Sequence, residues 1–412
     1  MKLYPHQEQC LNDTADKTRV AYYLDMGLGK TYVGAEKLIR IRNKVNLVIC
    51  QKSKINDWVE HFREYYPNWK TEDGTSPKFN PKGVNIIVIN YDIAFRRTWT
   101  LELTDFTLML DESSLVKNES SKRTKSILRL NPSAVILLSG TPTGGKYEEL
   151  YSQLKLLGWG ISKTLFINQY TNWEWADYGG YFTRRITGYK NVDRLKQKLR
   201  YHGAIFMKTE EVLDLPKQNH NVVKVTAPSK YKQFMKNGII AISDDMTLVG
   251  DTTLTKLLYA RQLCGAYSKT KLTAFEDLVD STDDRLIVFY NFNDELNAML
   301  KLINDRPYSL VNGQTKDLTA YEECNDSITF IQYQAGAMGL NLQKSNKIVY
   351  FTLPLSSEVF EQSKKRIHRI GQTEPCFYYY LISKGTVEER ILKTLKMRKN
   401  YTDELFKEED DA

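Results

Sequence analysis

The chain of 412 residues is poor in cysteine and histidine and has no long apolar run. Its five cysteines, Cys10, Cys50, Cys264, Cys324 and Cys376, are odd in number and widely scattered. That excludes a disulfide framework or a paired metal knuckle and fits a reducing cytoplasm. The five histidines, His6, His61, His202, His220 and His368, show no short ligand spacing to each other. A structural zinc or a zinc hydrolase is therefore set aside, and any metal is expected to be oxygen-liganded. No apolar stretch approaches the roughly 18 residues that cross a bilayer. Met1 to Cys10 is polar and lacks a signal-peptide core, so membrane and secretory readings are not expected. With 22 glycines and 11 prolines, the chain is neither collagenous nor low in complexity.

What is present is an ordinary globular composition, 42% hydrophobic and 26% charged. At about 150 residues per domain the length predicts two domains, or three small ones. The net charge of +8 favours polyanionic partners. Runs rich in Val, Ile, Leu and Tyr read as buried strands at Val20 to Leu24, Asn46 to Cys50, Asn85 to Ile89, Thr107 to Leu110 and Ala134 to Leu138. Segments with helical spacing, such as Lys30 to Arg40 and Ile55 to Tyr65, lie between them. This alternation predicts a parallel sheet covered on both faces. A second series follows Leu215-Pro216, at Asn221 to Thr226, Arg285 to Tyr290, Ile328 to Gln332, Lys347 to Thr352 and Phe377 to Ile382. The expected fold class is α/β with two tandem lobes, over 1–210 and 211–400. A mostly helical insertion is expected at about 147–210. Its aromatics Trp159, Trp173, Trp175, Tyr178, Tyr181 and Phe182 read as core. Thr71 to Gly83 reads as a surface loop, and 401–412 as a tail ending in the acidic Lys407 to Ala412.

Met26-Gly27-Leu28-Gly29-Lys30-Thr31 follows a predicted strand and opens a predicted helix, where a glycine turn presents backbone N–H groups to phosphate. Lys30 would reach the β and γ phosphates, and the Thr31 hydroxyl would be a magnesium ligand. The first glycine of the full phosphate-loop pattern is replaced by Leu24. Asp111-Glu112 ends another strand, at the edge where open parallel sheets bind ligands. Asp111 would hold magnesium through its water shell, and Glu112 would orient or deprotonate the attacking water. Arg366 and Arg369 are spaced to share one helical face and suit phosphate.

Taken in order, these motifs resemble those of the Swi/Snf-like ATPases of helicase superfamily two, over nearly the whole chain. Leu3-Tyr4-Pro5-His6-Gln7 is similar to the adenine-side opening motif, Met26 to Thr31 to the MGLGKT loop and Asp111-Glu112 to the DEAH-type pair. Ser139-Gly140-Thr141-Pro142 resembles the third motif, which couples hydrolysis to lobe movement. Ala335 to Leu342, including Gly339, resembles the fifth, and Gln362 to Gln372 the sixth. The Ile370-Gly371-Gln372 ending points to DNA rather than RNA.

The resemblance implies two RecA-like lobes closing on ATP and Mg2+ at their interface, with Gln7, Met26, Gly27, Leu28, Gly29, Lys30, Thr31 and Gly339 at the nucleotide. Lys30, Glu112, Arg366 and Arg369 would be catalytic. It further implies a motor moving on double-stranded DNA without sequence preference. Lys52, Ser53, Asn90 and Tyr91 are the candidate DNA contacts, while Lys364 and Lys365 read as solvated.

The chain departs from the pattern in three places. Ser113 and Ser114 stand where a small residue and His are usual. Tyr333 and Gln334 replace Thr and Arg, and Pro228 to Gly265 is too short for a large helical insertion. The alternatives are a strand-separating helicase, whose wedge the aromatic insertion would supply, and a non-hydrolysing nucleotide-binding scaffold. The expected setting is a monomeric cytoplasmic motor of a bacterium or virus-infected bacterium, recruited by a replication or repair protein.

Overall fold

The computed structural model describes residues 2–177, 180–243, 246–333, 335 and 339–406. The chain divides into two units, Met1–Leu213 with Lys399–Ala412, and Asp214–Arg398.

In the first unit the strands are β1 (Arg19–Leu24), β2 (Val45–Cys50), β3 (Thr71–Asp73), β4 (Ile86–Asn90), β5 (Phe106–Asp111), β6 (Ala134–Ser139), β7 (Thr171–Asp177), β8 (Phe182–Tyr189) and β9 (Ala204–Met207). Seven form one sheet in the order β3-β4-β2-β5-β6-β1-β9, parallel throughout. The central strands are apolar on both faces because helices cover both sides. The first helices are α1 (Pro5–Asn12) and α2 (Lys30–Ile41); on one side Val33 and Leu38 of α2, and Trp58 and Phe62 of the helix Ile55–Tyr65, meet Val20, Val48, Met109 and Ile136. On the other, Leu154, Phe166 and Leu195 meet Ala21, Leu47, Leu108 and Leu137. Strand β6 lies between β1 and β5, with Tyr22 beside Leu138 and Leu110 beside Leu137. The segments leaving these three strands are therefore brought to one edge.

Two expectations need correction here. The segment 147–210 carries helices Tyr151–Leu156, Lys163–Tyr170 and Val192–Tyr201, but it also holds strands. Strands β7 and β8 form an antiparallel hairpin, and β9 joins the main sheet beside β1. With four residues, β9 is too short to show a period, and only pairing with β1 extends it. Trp159 packs on the core, whereas Trp175, Tyr181 and Phe182 are exposed; Tyr178 lies outside the described residues. The second correction concerns Thr71–Asp73, the beginning of the expected loop, which is an edge strand paired with β4.

The second unit contains β10 (Gln218–Val225), β11 (Ile239–Ser243), β12 (Met246–Val249), β13 (Leu286–Tyr290), β14 (Tyr308–Val311), β15 (Lys316–Asp317), β16 (Ile328–Gln332), β17 (Lys347–Tyr350) and β18 (Cys376–Ser383). Its sheet runs β10-β18-β17-β13-β16-β14-β15, parallel except for the last pair. The segment from Pro228 to Gly265 is two helices, Ser229–Asn237 and Thr253–Cys264, around the hairpin β11-β12. Beneath the sheet the Lys271 ammonium and the Glu388 carboxylate form a fully buried ion pair at 2.6 Å. Lys407 to Ala412 lies outside the described residues. Among the described residues no helix is long and apolar enough to cross a membrane.

Candidate nucleotide site

The chain leaves β1 at Leu24 and turns through Asp25 to Gly29 into α2. Gly27 and Gly29 have φ of +91° and +77°, in the left-handed region where a side chain is costly. A Cβ on Gly29 would also lie 2.1 Å from Nε2 of Gln7. Gln7 is buried in the helix Pro5–Asn12. Its Nε2 donates to the Leu28 carbonyl at 3.2 Å, while its Oε1 accepts from the Tyr4 amide at 3.0 Å. The expected adenine-side residue is thus in contact with the glycine turn.

Lys30 Nζ donates to the carbonyls of Leu24 at 3.0 Å and Asp25 at 3.3 Å. A Cβ on Gly140 would lie 3.1 Å from the same nitrogen. The ammonium therefore lies where β1 and β6 end, and the smallness of Gly140 admits it. Thr31 stands in the first turn of α2. Sequence reading missed the brace behind the loop, in which the Asp25 amide donates to Met207 O at 3.0 Å and Thr209 Oγ1 donates to Asp25 Oδ2 at 3.0 Å. Strand β9 and the turn after it thus hold the first loop residue, and no local signal announces this.

Asp111 ends β5. Burial raises its pKa, opposed first by the Trp58 indole and then by the charges of Lys30 and Lys54. Trp58 Nε1 donates to Asp111 Oδ2 at 2.9 Å. Tyr91 Oη donates to the Asp111 carbonyl at 2.8 Å. Glu112 is left-handed at φ +52°, an uncommon conformation for a residue with a Cβ, and turns the chain away from the sheet. Trp58 was legible only as an apolar helix position, so its role as a donor was missed.

The donor set suits magnesium, which takes one or two carboxylates plus phosphate oxygens. Asp111 and Thr31 supply that kind of oxygen. Among the described residues no three His, Cys, Asp or Glu side chains are arranged to hold a metal alone. Ser139 Oγ accepts from the Thr141 amide at 3.1 Å, and Thr141 Oγ1 is buried with no hydrogen-bond partner among the described residues.

Of the candidate DNA contacts, Lys52 and Ser53 are exposed in a short turn after β2. Asn90 and Tyr91 are buried, which corrects their assignment as DNA contacts: the Tyr91 hydroxyl is used on the acid-pair backbone. In the second unit the helix Ser357–Lys364 ends before Arg366, so Arg366 and Arg369 do not share a helical face as expected. They lie in the turns that follow. Arg366 is buried and its carbonyl accepts from the Leu342 amide at 3.1 Å. Arg369 donates to the Asn341 side chain. Lys364 is not solvated but buried, 2.7 Å from Glu361 and over the Phe360 ring. Gly339 has φ +63°, while Gln334 and Gly336 to Met338 lie outside the described residues.

Residues 23–269 match the SNF2-related domain, and 270–371 the helicase conserved C-terminal domain. The chain belongs to the SNF2-related family. Its two sheets are accordingly RecA-like lobes. A SWI/SNF-related matrix-associated actin-dependent regulator of chromatin subfamily A-like protein 1 of Xenopus tropicalis is 25% identical over 425 residues, 94% of this chain and 43% of that protein. The Bacillus subtilis putative ATP-dependent helicase/translocase YwqA is 23% identical over 439 residues, 93% of this chain and 46% of that protein. The chain thus spans less than half the length of these two relatives. The solved Sulfolobus solfataricus SWI2/SNF2 ATPase core in complex with dsDNA is similar over 98% of this chain and 92% of that one, at 20% identity and a TM-score of 0.47.

Two departures from the SNF2-related pattern have structural consequences. Ser113 Oγ donates to Gln153 Oε1 at 2.8 Å, Tyr23 Oη donates to the same oxygen at 3.0 Å, and Gln153 Nε2 donates to Pro142 O at 2.8 Å. One buried amide therefore ties the acid-pair turn to the Ser139-to-Pro142 segment. Tyr333 is core: it stacks on Phe289 at 5.2 Å and donates to Thr352 O at 2.9 Å, so its side chain offers no DNA contact.

Proposed function

We propose that this chain is a magnesium- and ATP-dependent motor that moves on double-stranded DNA without reading its sequence. The observation that carries the reading is the convergence on one sheet edge of Lys30, Asp111 and Gly140 from the ends of three neighbouring strands, with Gln7 against the phosphate loop. In this reading Lys30 holds the β and γ phosphates, and Gly27 to Gly29 present backbone N–H groups to them. Thr31 would supply an oxygen ligand to magnesium and Asp111 would hold the ion through its water shell; when bound, magnesium would neutralise charge on the phosphates. Glu112 orients the attacking water, and Arg366 and Arg369 of the second lobe stabilise transition-state charge. Lys52 and Ser53 touch phosphates of the track, which positions the motor without specifying sequence. The Bacillus subtilis relative, named a helicase/translocase, supports the reading.

Steady-state ATP hydrolysis at low salt, with duplex DNA, single-stranded DNA or RNA, tests it. The expected result is stimulation by duplex that fades as salt rises, because phosphate contacts release counterions. Glu112→Gln is expected to bind nucleotide without turnover, and Lys30→Ala to lose phosphate binding. Normal turnover by Glu112→Gln would remove the base assignment.

A further inference from the structure

The hairpin β7-β8 pairs with no other strand among the described residues. Lone two-stranded ribbons are marginally stable in water, and large apolar side chains left exposed on one mark a contact surface. The register places Trp173 opposite Ile186, Trp175 opposite Arg184 and Asp177 opposite Phe182. Because strand side chains alternate, Trp173, Trp175, Phe182, Arg184 and Ile186 share one face. On that face Trp175 is 61% exposed and Phe182 70%, and Tyr181, which precedes the strand, is 82% exposed. The two indoles meet edge to face at 5.6 Å, and the Arg184 guanidinium lies 4.2 Å from the Trp173 ring centre and 5.8 Å from that of Trp175. Flat rings with a cation over them make a platform rather than a greasy patch.

The charge around the ribbon points to the occupant. From Lys163 to Arg200 the sequence carries eight Lys and Arg against three Asp and Glu. This segment thus holds +5 of the chain's net +8 in a small part of its length. Aromatic faces set in excess positive charge match the bases and phosphates of a single strand. The bases of duplex DNA are stacked on one another and closed to such rings. We propose that the β7-β8 ribbon binds unpaired bases of single-stranded DNA by stacking them on Trp175, Phe182 and Tyr181. The proposal rests on the reading of the chain as a DNA motor, and it gives that motor a means of engaging a fork or gap beside its duplex track.

The test uses the full chain with Trp175→Ala, Phe182→Ala and Tyr181→Ala combined. All three rings are exposed, so the core is untouched, and an unchanged thermal melt verifies this. Binding of fluorescent oligo(dT), and ATP hydrolysis stimulated by blunt duplex, are measured side by side. Affinity for oligo(dT) is expected to fall by about tenfold or more, given the worth of stacking per base. Stimulation by blunt duplex should change by less than about twofold, since phosphate contacts carry it. Unchanged oligo(dT) affinity would overturn the proposal, and so would an equal loss of oligo(dT) affinity and of stimulation by blunt duplex, which would assign the ribbon to phosphates. If wild-type protein shows no duplex-stimulated hydrolysis but the variant still loses oligo(dT), the motor reading fails and the ribbon assignment stands.

Discussion

Gly29→Ala separates backbone strain from contact at the turn into α2. The left-handed φ of +77° costs an alanine roughly 1–2 kcal/mol. The new Cβ also meets Gln7 Nε2 at 2.1 Å, so the Gln7 side chain must leave. It then loses its bonds to Leu28 O and from the Tyr4 amide, worth about 1 kcal/mol each. The single variant should therefore cost about 3–4 kcal/mol, and Gln7→Ala alone about 2 kcal/mol. In the double variant the displaced bonds are already gone, so it should be no less stable than Gly29→Ala. Calorimetry of the full chain reads this as a drop of about 6–15 °C in the first unit's transition for both Gly29→Ala and the double variant. If the two single losses add in the double variant, Gln7 is not what Gly29 makes room for.

Other consequences follow from buried charge in the second unit. Glu295 is wholly buried, and desolvation pushes its pKa up to about 7, against backbone bonds from Asn291 and Phe292, the Thr352 hydroxyl and the charge of Lys271. The folded chain keeps this proton where the unfolded chain releases it. Its contribution is thus full below about pH 4.5 and lost as pH rises through about 7, on the order of 3 kcal/mol. Glu295→Gln cannot ionise, so melts at pH 5 and pH 8 should differ less than in wild type; an identical difference would show that Glu295 does not titrate in this window. Lys271→Ala leaves Glu388 charged and buried and should cost about 3–5 kcal/mol, whereas removing both charges as Lys271→Met with Glu388→Leu should recover much of that loss in a denaturant titration.

The central strands of both sheets were legible because a strand covered on both faces must be apolar throughout, as at Val20 to Leu24 and Leu286 to Tyr290. The glycine turn into α2 was legible too, because a tight turn onto a helix N-terminus places residues in the left-handed region, as at Gly27 and Gly29. Strands β3, β9 and β15 were not: two to four residues carry no period, and pairing with a neighbour alone extends them. The hairpin β7-β8 was hidden because its aromatics suggested core, while burial depends on which face is covered. Local spacing likewise put Arg366 and Arg369 on one helix, but that helix ends at Lys364. The residue types proposed to hold phosphate were thus set by sequence alone. Only the order of the strands, with β6 between β1 and β5, decided that Lys30, Gly140 and Asp111 come to one sheet edge, because residues far apart in the chain become neighbours only through pairing.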